Sequence, residues 1–107
     1  KQSDKKAIEL YEMAAKRGDA GAQFGLGLFY KQGSHGLTQS SKKAIEYYTL
    51  SAEQGLANAQ SSLGGLYATG DGIEQSFSKT REWLTKAAAK GHEGAIEVLK
   101  QLDKRGL

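Results

Sequence analysis

Few residues in this chain stand at spacings that chemistry needs. Gly25-Leu26-Gly27 and Gly70-Asp71-Gly72 open like a glycine loop whose backbone N–H groups wrap a phosphate. Such a loop follows a strand and ends in Lys-Ser or Lys-Thr. Neither run does, so nucleotide binding is not expected. His35 and His92 fall in loops without ligand-type spacing, and there is no cysteine. No metal site is therefore expected. Glu9 and Glu12 lie on a solvated helical face, where Lys5 and Lys16 stand four residues away as ordinary i,i+4 partners. No Ser-His-Asp arrangement is recognisable. The chemistry implied is that of a non-enzymatic surface with no cofactor, no metal and no small-molecule substrate.

The charge balance is the other possible source of activity. The formal net charge is +3. Lys6, Lys43 and Lys79 recur in phase, with Lys5 and Lys42 beside them. Aligned, they form a basic edge able to meet an acidic protein or phosphates. A solvated edge is the reading adopted, because few aromatics are free to stack on bases and no nucleic-acid partner is expected. Trp83, Tyr47 and Tyr48 are read as core and inter-repeat packing.

The elements that position these residues follow from a repeat. Ala7, Ala44 and Thr80 open equivalent segments at intervals of 37 and 36 residues, and Gly18, Gly55 and Gly91 close them. Between the closures run two matching stretches, from Ala22 to Gly33 and from Ala59 to Gly70. A fixed period in this range signals stacked helical hairpins, each burying its apolar face against its neighbours. Only 38% of residues are hydrophobic, as a one-layer stack requires. Ser3, Ser40 and Ser76 stand where each trailing helix needs an N-cap, and the closing glycines suit left-handed C-terminal positions. Leading helices are predicted over about Ala20–Gln32, Ala57–Thr69 and 93–104. Gly27 and Gly64 share one phase within them, which predicts a close helix neighbour at that point. No apolar run approaches the roughly 18 residues of a membrane span, so no direct membrane insertion is expected.

These residues resemble the Sel1-like repeats (SLR), relatives of the tetratricopeptide repeats. Ala22, Leu26, Gly27, Tyr30, Gly33 and Gly36, then Ala44, Tyr47, Tyr48, Ala52 and Gly55, carry the pattern. It returns as Ala59, Leu63, Gly64, Tyr67, Gly70 and Gly72, then Trp83, Leu84, Lys86, Ala87, Ala88 and Gly91. The tetratricopeptide pattern itself fits less well, since its period is about 34. The resemblance implies an all-α, α/α superhelical solenoid of stacked antiparallel hairpins, about two and a half repeats long. Thr80 departs from the usual alanine. The family's secreted members carry a disulfide within each repeat, and its absence argues against that subgroup. The lack of cysteine fits a reducing intracellular compartment.

The domain reading is one unit over 1–107: a trailing helix over 1–18, repeats over 19–55 and 56–91, and a capping helix over 92–107. Lys100 and Asp103, polar where glycine and tyrosine are expected, mark that cap. The first helix, with Ile8 and Tyr11, reads as awaiting a preceding helix, so a longer protein is expected. The resemblance implies a scaffold or adaptor binding a protein segment or helix on the concave face of the leading helices. The residues turned away from Leu26 and Leu63 are Phe24, Leu28, Lys31 and Gln32, then Asn58, Ser61, Gly65, Ala68 and Thr69. Glu97, Gln101 and Lys104 continue the groove. Phe24 and Leu28 are the expected apolar anchors. The alternative is a structural subunit held within a larger multi-subunit assembly.

Overall fold

A computed structural model of the chain describes residues 2–107. Among them run six helices and no strand: α1 (Gln2–Lys16), α2 (Ala20–Gln32), α3 (Ser41–Glu53), α4 (Ala57–Thr69), α5 (Phe77–Ala89) and α6 (Glu93–Arg105). Each packs chiefly on its neighbours in sequence. The stack measures 48 × 24 × 18 Å, with a radius of gyration of 14.3 Å. A compact chain of this length would have about 13 Å, so the repeat is elongated.

Local sequence sets the ends of the helices. Ser40 Oγ accepts from Lys43 N–H and Ser76 Oγ from Lys79 N–H, both at 3.1 Å. Each satisfies a donor that the first turn leaves open. Ser3 does not cap: α1 already begins at Gln2, so this serine lies inside the first turn. Gly33, Gly70 and Gly106 close the leading helices at φ of 68°, 74° and 70°. The first interhelical loop is one residue longer than the second. His35 occupies that extra place at φ 57°, its ring centred 4.1 Å from that of Phe29.

Packing follows the same period. Ile8, Ala15, Ala22 and Leu26 join α1 to α2. Ala44, Tyr48, Ala52, Ala59, Leu63 and Leu66 join α3 to α4. Leu84, Ala87, Ala95 and Leu102 join α5 to α6. The hairpins close at the two interior glycines. A Cβ at Gly27 would lie 2.5 Å from the Tyr48 ring and 3.3 Å from Ala44 O; one at Gly64 would lie 3.2 Å from Leu84. The close approach expected from their phase is therefore made by the trailing helix of the same hairpin. Thr80 fits because its buried hydroxyl donates to Gly64 O at 2.9 Å.

Buried glutamines tie successive hairpins together. Gln23 Nε2 donates to Ala15 O and Gln60 Nε2 to Ala52 O, each at 3.2 Å. Gln54 Nε2 then donates to Gln23 Oε1 at 2.8 Å. Lys90 holds the position equivalent to Gln54, but it reaches Gly55 O instead, and Gln60 Oε1 stays buried without a partner.

The first helix differs from its sequence reading. Ile8 is only 7% exposed and already part of the core, while Leu10 (58%) and Met13 (53%) face outward. Tyr11 packs edge-on to Phe29, centroids 5.0 Å apart, and covers Gly25. Neither Lys5 with Glu9 nor Glu12 with Lys16 is an ion pair among the described residues; those formed are Lys31–Asp71 and Arg81–Asp103. No helix among the described residues is long and apolar enough to cross a membrane.

Candidate functional site

The glycine pairs are settled by their place in the fold. Gly25 and Gly27 lie within α2, and Gly70-Asp71-Gly72 follows the C-terminus of α4. The first is part of helix backbone, and the second is separated from the N-terminus of α5 by residues 73–76, so neither forms a loop running directly into a helix N-terminus. His92 is the N-cap of α6. Its Nδ1 accepts from Ala95 N–H at 3.0 Å, so Nε2 carries the proton and donates to Asn58 Oδ1 at 3.0 Å. No His, Asp and Glu cluster among the described residues could hold a metal ion.

Three of the groove residues read from the sequence converge. Lys31 on α2 and Gly65 and Thr69 on α4 line one cavity of about 460 Å³, with Tyr48, Ser62, Leu66 and Asp71 completing it. Periodicity missed these four. Tyr48 reads as pure core from its spacing, and Asp71 belongs to a loop. A usable signal for Ser62 was its place three residues before Gly65 on the same helix.

Position and burial differ among the remaining groove residues. Phe24 and Leu28 are half-buried against the α3–α4 core, with Phe24 5.7 Å from Tyr48 between ring centroids. They are walls of the stack, not a free apolar pair. Gln32, Glu97, Gln101 and Lys104 are exposed, and Ser61 and Ala68 are half-buried. Asn58 is exposed on α4 and engaged by His92. Ala68 contributes its carbonyl to Gln75 Nε2 at 2.7 Å.

Electrostatics at the cavity centre on Asp71. Lys31 Nζ lies 3.0 Å from Asp71 Oδ2, and Ser41 Oγ donates to Oδ1 at 3.0 Å. Those hydrogen bonds, Lys31 first, hold the Asp71 carboxyl below its ordinary range. Burial raises the Tyr48 phenol above its usual value. The arrangement brings together one charged pair, one phenol and an exposed helical glycine.

The comparisons agree with this architecture. The Sel1 repeat family model matches residues 1–19, 20–56 and 57–92. The chain is 37% identical to a Sel1 repeat protein from Oxalobacter formigenes, with a TM-score of 0.85 over 92% of this chain and 40% of that one. It is 34% identical to c5321, a protective antigen present in uropathogenic Escherichia coli strains displaying an SLR fold, with a TM-score of 0.91 over 94% and 21%. The chain thus spans under half the length of either structure. No curated protein matches. Sel1 repeats are generally protein–protein interaction modules and typically non-catalytic helical scaffolds. With three successive matched units spanning α1 to α5, this chain belongs to the Sel1 repeat family.

Proposed function

We propose that the surface lined by α2, α4 and α6 holds a segment of a partner protein, which makes the chain a scaffold or adaptor without catalytic activity. Gly65 carries this reading. A glycine inside a helix costs roughly 1 kcal/mol relative to alanine. Gly27 and Gly64 are accounted for by Tyr48 and Leu84, but a Cβ at Gly65 meets nothing within 4 Å. Open space above a helical glycine, beside Lys31, Tyr48 and Thr69, is room for something outside the chain. The half-buried Phe24 and Leu28 stiffen the neighbouring wall, while the exposed Gln32, Glu97, Gln101 and Lys104 supply polar contacts along the groove.

The test separates binding from folding. Peptides selected from a random library on the wild-type chain should lose at least roughly tenfold in affinity for Gly65→Leu, because the leucine fills the cavity. The same variant should melt no lower than wild type, since leucine is the better helix former. Undiminished affinity would remove the groove from the account.

The second reading, a subunit held permanently in a larger assembly, draws on Leu10 and Met13, both more than half exposed on α1. It predicts that the isolated chain associates or melts without cooperativity. A monomer with a cooperative melt would count against it.

A further inference from the structure

A second cavity, of about 600 Å³, lies between the trailing helices α1 and α3. Glu9, Glu12, Met13 and Lys16 line it from α1, and Tyr47 and Leu50 from α3. Met13 and Leu50 are 53% and 48% exposed. The chain contains its own comparison one repeat further on, where Tyr47 is replaced by Trp83 and Leu50 by Lys86. There Lys86 Nζ lies 5.7 Å from the centre of the Trp83 ring, and Trp83 packs on the α3–α4 core. The later groove is thus covered by a cation from within the chain. In the earlier one leucine stands in the lysine's register; one face of Tyr47 stacks on Tyr30, centroids 5.9 Å apart, and among the described residues no cation lies over the Tyr47 ring itself.

The charges at that cavity are specific. Two carboxylates, Glu9 and Glu12, face one ammonium, Lys16, in a chain whose net charge is +3. Burial raises the Tyr47 phenol above its ordinary value, and Tyr30, Glu12 and Glu46 add to the shift. We propose that the α1–α3 groove docks a basic amphipathic segment of a partner protein. A lysine or arginine of that segment lies across Tyr47 towards Glu12, as Lys86 lies across Trp83, and its apolar side chains cover Met13 and Leu50. This surface is separate from the cavity at Gly65, so either can fail alone.

The probe is a synthetic helix of leucine and lysine at i, i+3 and i, i+4 spacing, labelled for fluorescence anisotropy, beside the same helix with glutamate for lysine. The lysine helix should bind the wild-type chain against its overall positive charge, and the glutamate helix should not. Glu9→Gln with Glu12→Gln should weaken binding by roughly tenfold, as should Leu50→Lys, which supplies the internal cation. All three sites line a solvent-accessible groove, and circular dichroism melts should match wild type. Gly65→Leu should leave this binding unchanged. Equal binding of both helices, no binding, undiminished binding by the variants, or loss through Gly65→Leu would each overturn the proposal. So would light scattering that shows the chain self-associating, with the association lost in Glu9→Gln with Glu12→Gln.

Discussion

At the scale of single residues, neighbouring glycines of one helix do different work. Gly27 and Gly64 let a trailing helix approach, whereas Gly65 opens onto a cavity. Gly27→Ala should therefore destabilise the fold by about 1–2 kcal/mol, because a methyl must displace the buried Tyr48 ring. Gly65→Ala should stabilise it by about 0.5–1 kcal/mol. Urea midpoints measure both, and the opposite signs are the test. The recurrence of Gly27 and Gly64 was legible because a repeated helix-breaking residue demands a reason in packing. Phe24 was not. Its phase on α2 gives a direction from the helix axis, but not that Tyr48 of the next helix stands in that direction. Asp71 adds a pH dependence. Its carboxyl is held below the ordinary range by Lys31 and Ser41, so its contribution is present above that range and lost as pH falls through the lowered value. The melting temperature should fall more steeply on acidification below the ordinary aspartate range for wild type than for Asp71→Asn.

At the scale of elements, capping and inter-repeat ties decide stability. Ser40→Ala and Ser76→Ala should each cost about 1 kcal/mol, whereas Ser3→Ala should cost nothing or help slightly, because α1 already runs through that residue. Denaturation of the three variants separates caps from mere serines. All three looked alike in sequence, since each stands four residues before its opening position. What distinguishes Ser3 is the helical conformation upstream of it, and a cap is a statement about the residue that is not yet helical. The glutamine ladder supplies a second case. Gln54 satisfies Gln23, but Lys90 leaves Gln60 Oε1 buried and unpaired. Lys90→Gln should restore the pair and raise stability by up to about 1 kcal/mol. A loss of stability would show that the Lys90 contact with Gly55 matters more. The glutamines were not singled out from sequence, because a side chain reaching eight residues back belongs to no helical period.

At the scale of the whole molecule, the fold was the most legible property. A period of 36 and 37 residues, punctuated by glycines that all adopt positive φ, leaves few arrangements other than stacked hairpins. The candidate groove was less so, because a groove is formed between helices and belongs to no single one of them. Helical phase places Lys31, Gly65 and Thr69 on one side of the leading helices, whereas Tyr48, Ser62, Leu66 and Asp71 join them only through the way α2, α3 and α4 lean together. Two Sel1 repeat structures reproduce this arrangement over more than nine-tenths of the chain while extending well beyond it. The central claim is that the leading helices, through the cavity at Gly65, recognise a protein segment. Its most direct test is the amide chemical-shift footprint of a library-selected peptide on the labelled chain. The account predicts shifts centred on Lys31, Ser62, Gly65 and Thr69 that vanish in Gly65→Leu. A footprint confined to α1, α3 and α5 would contradict it.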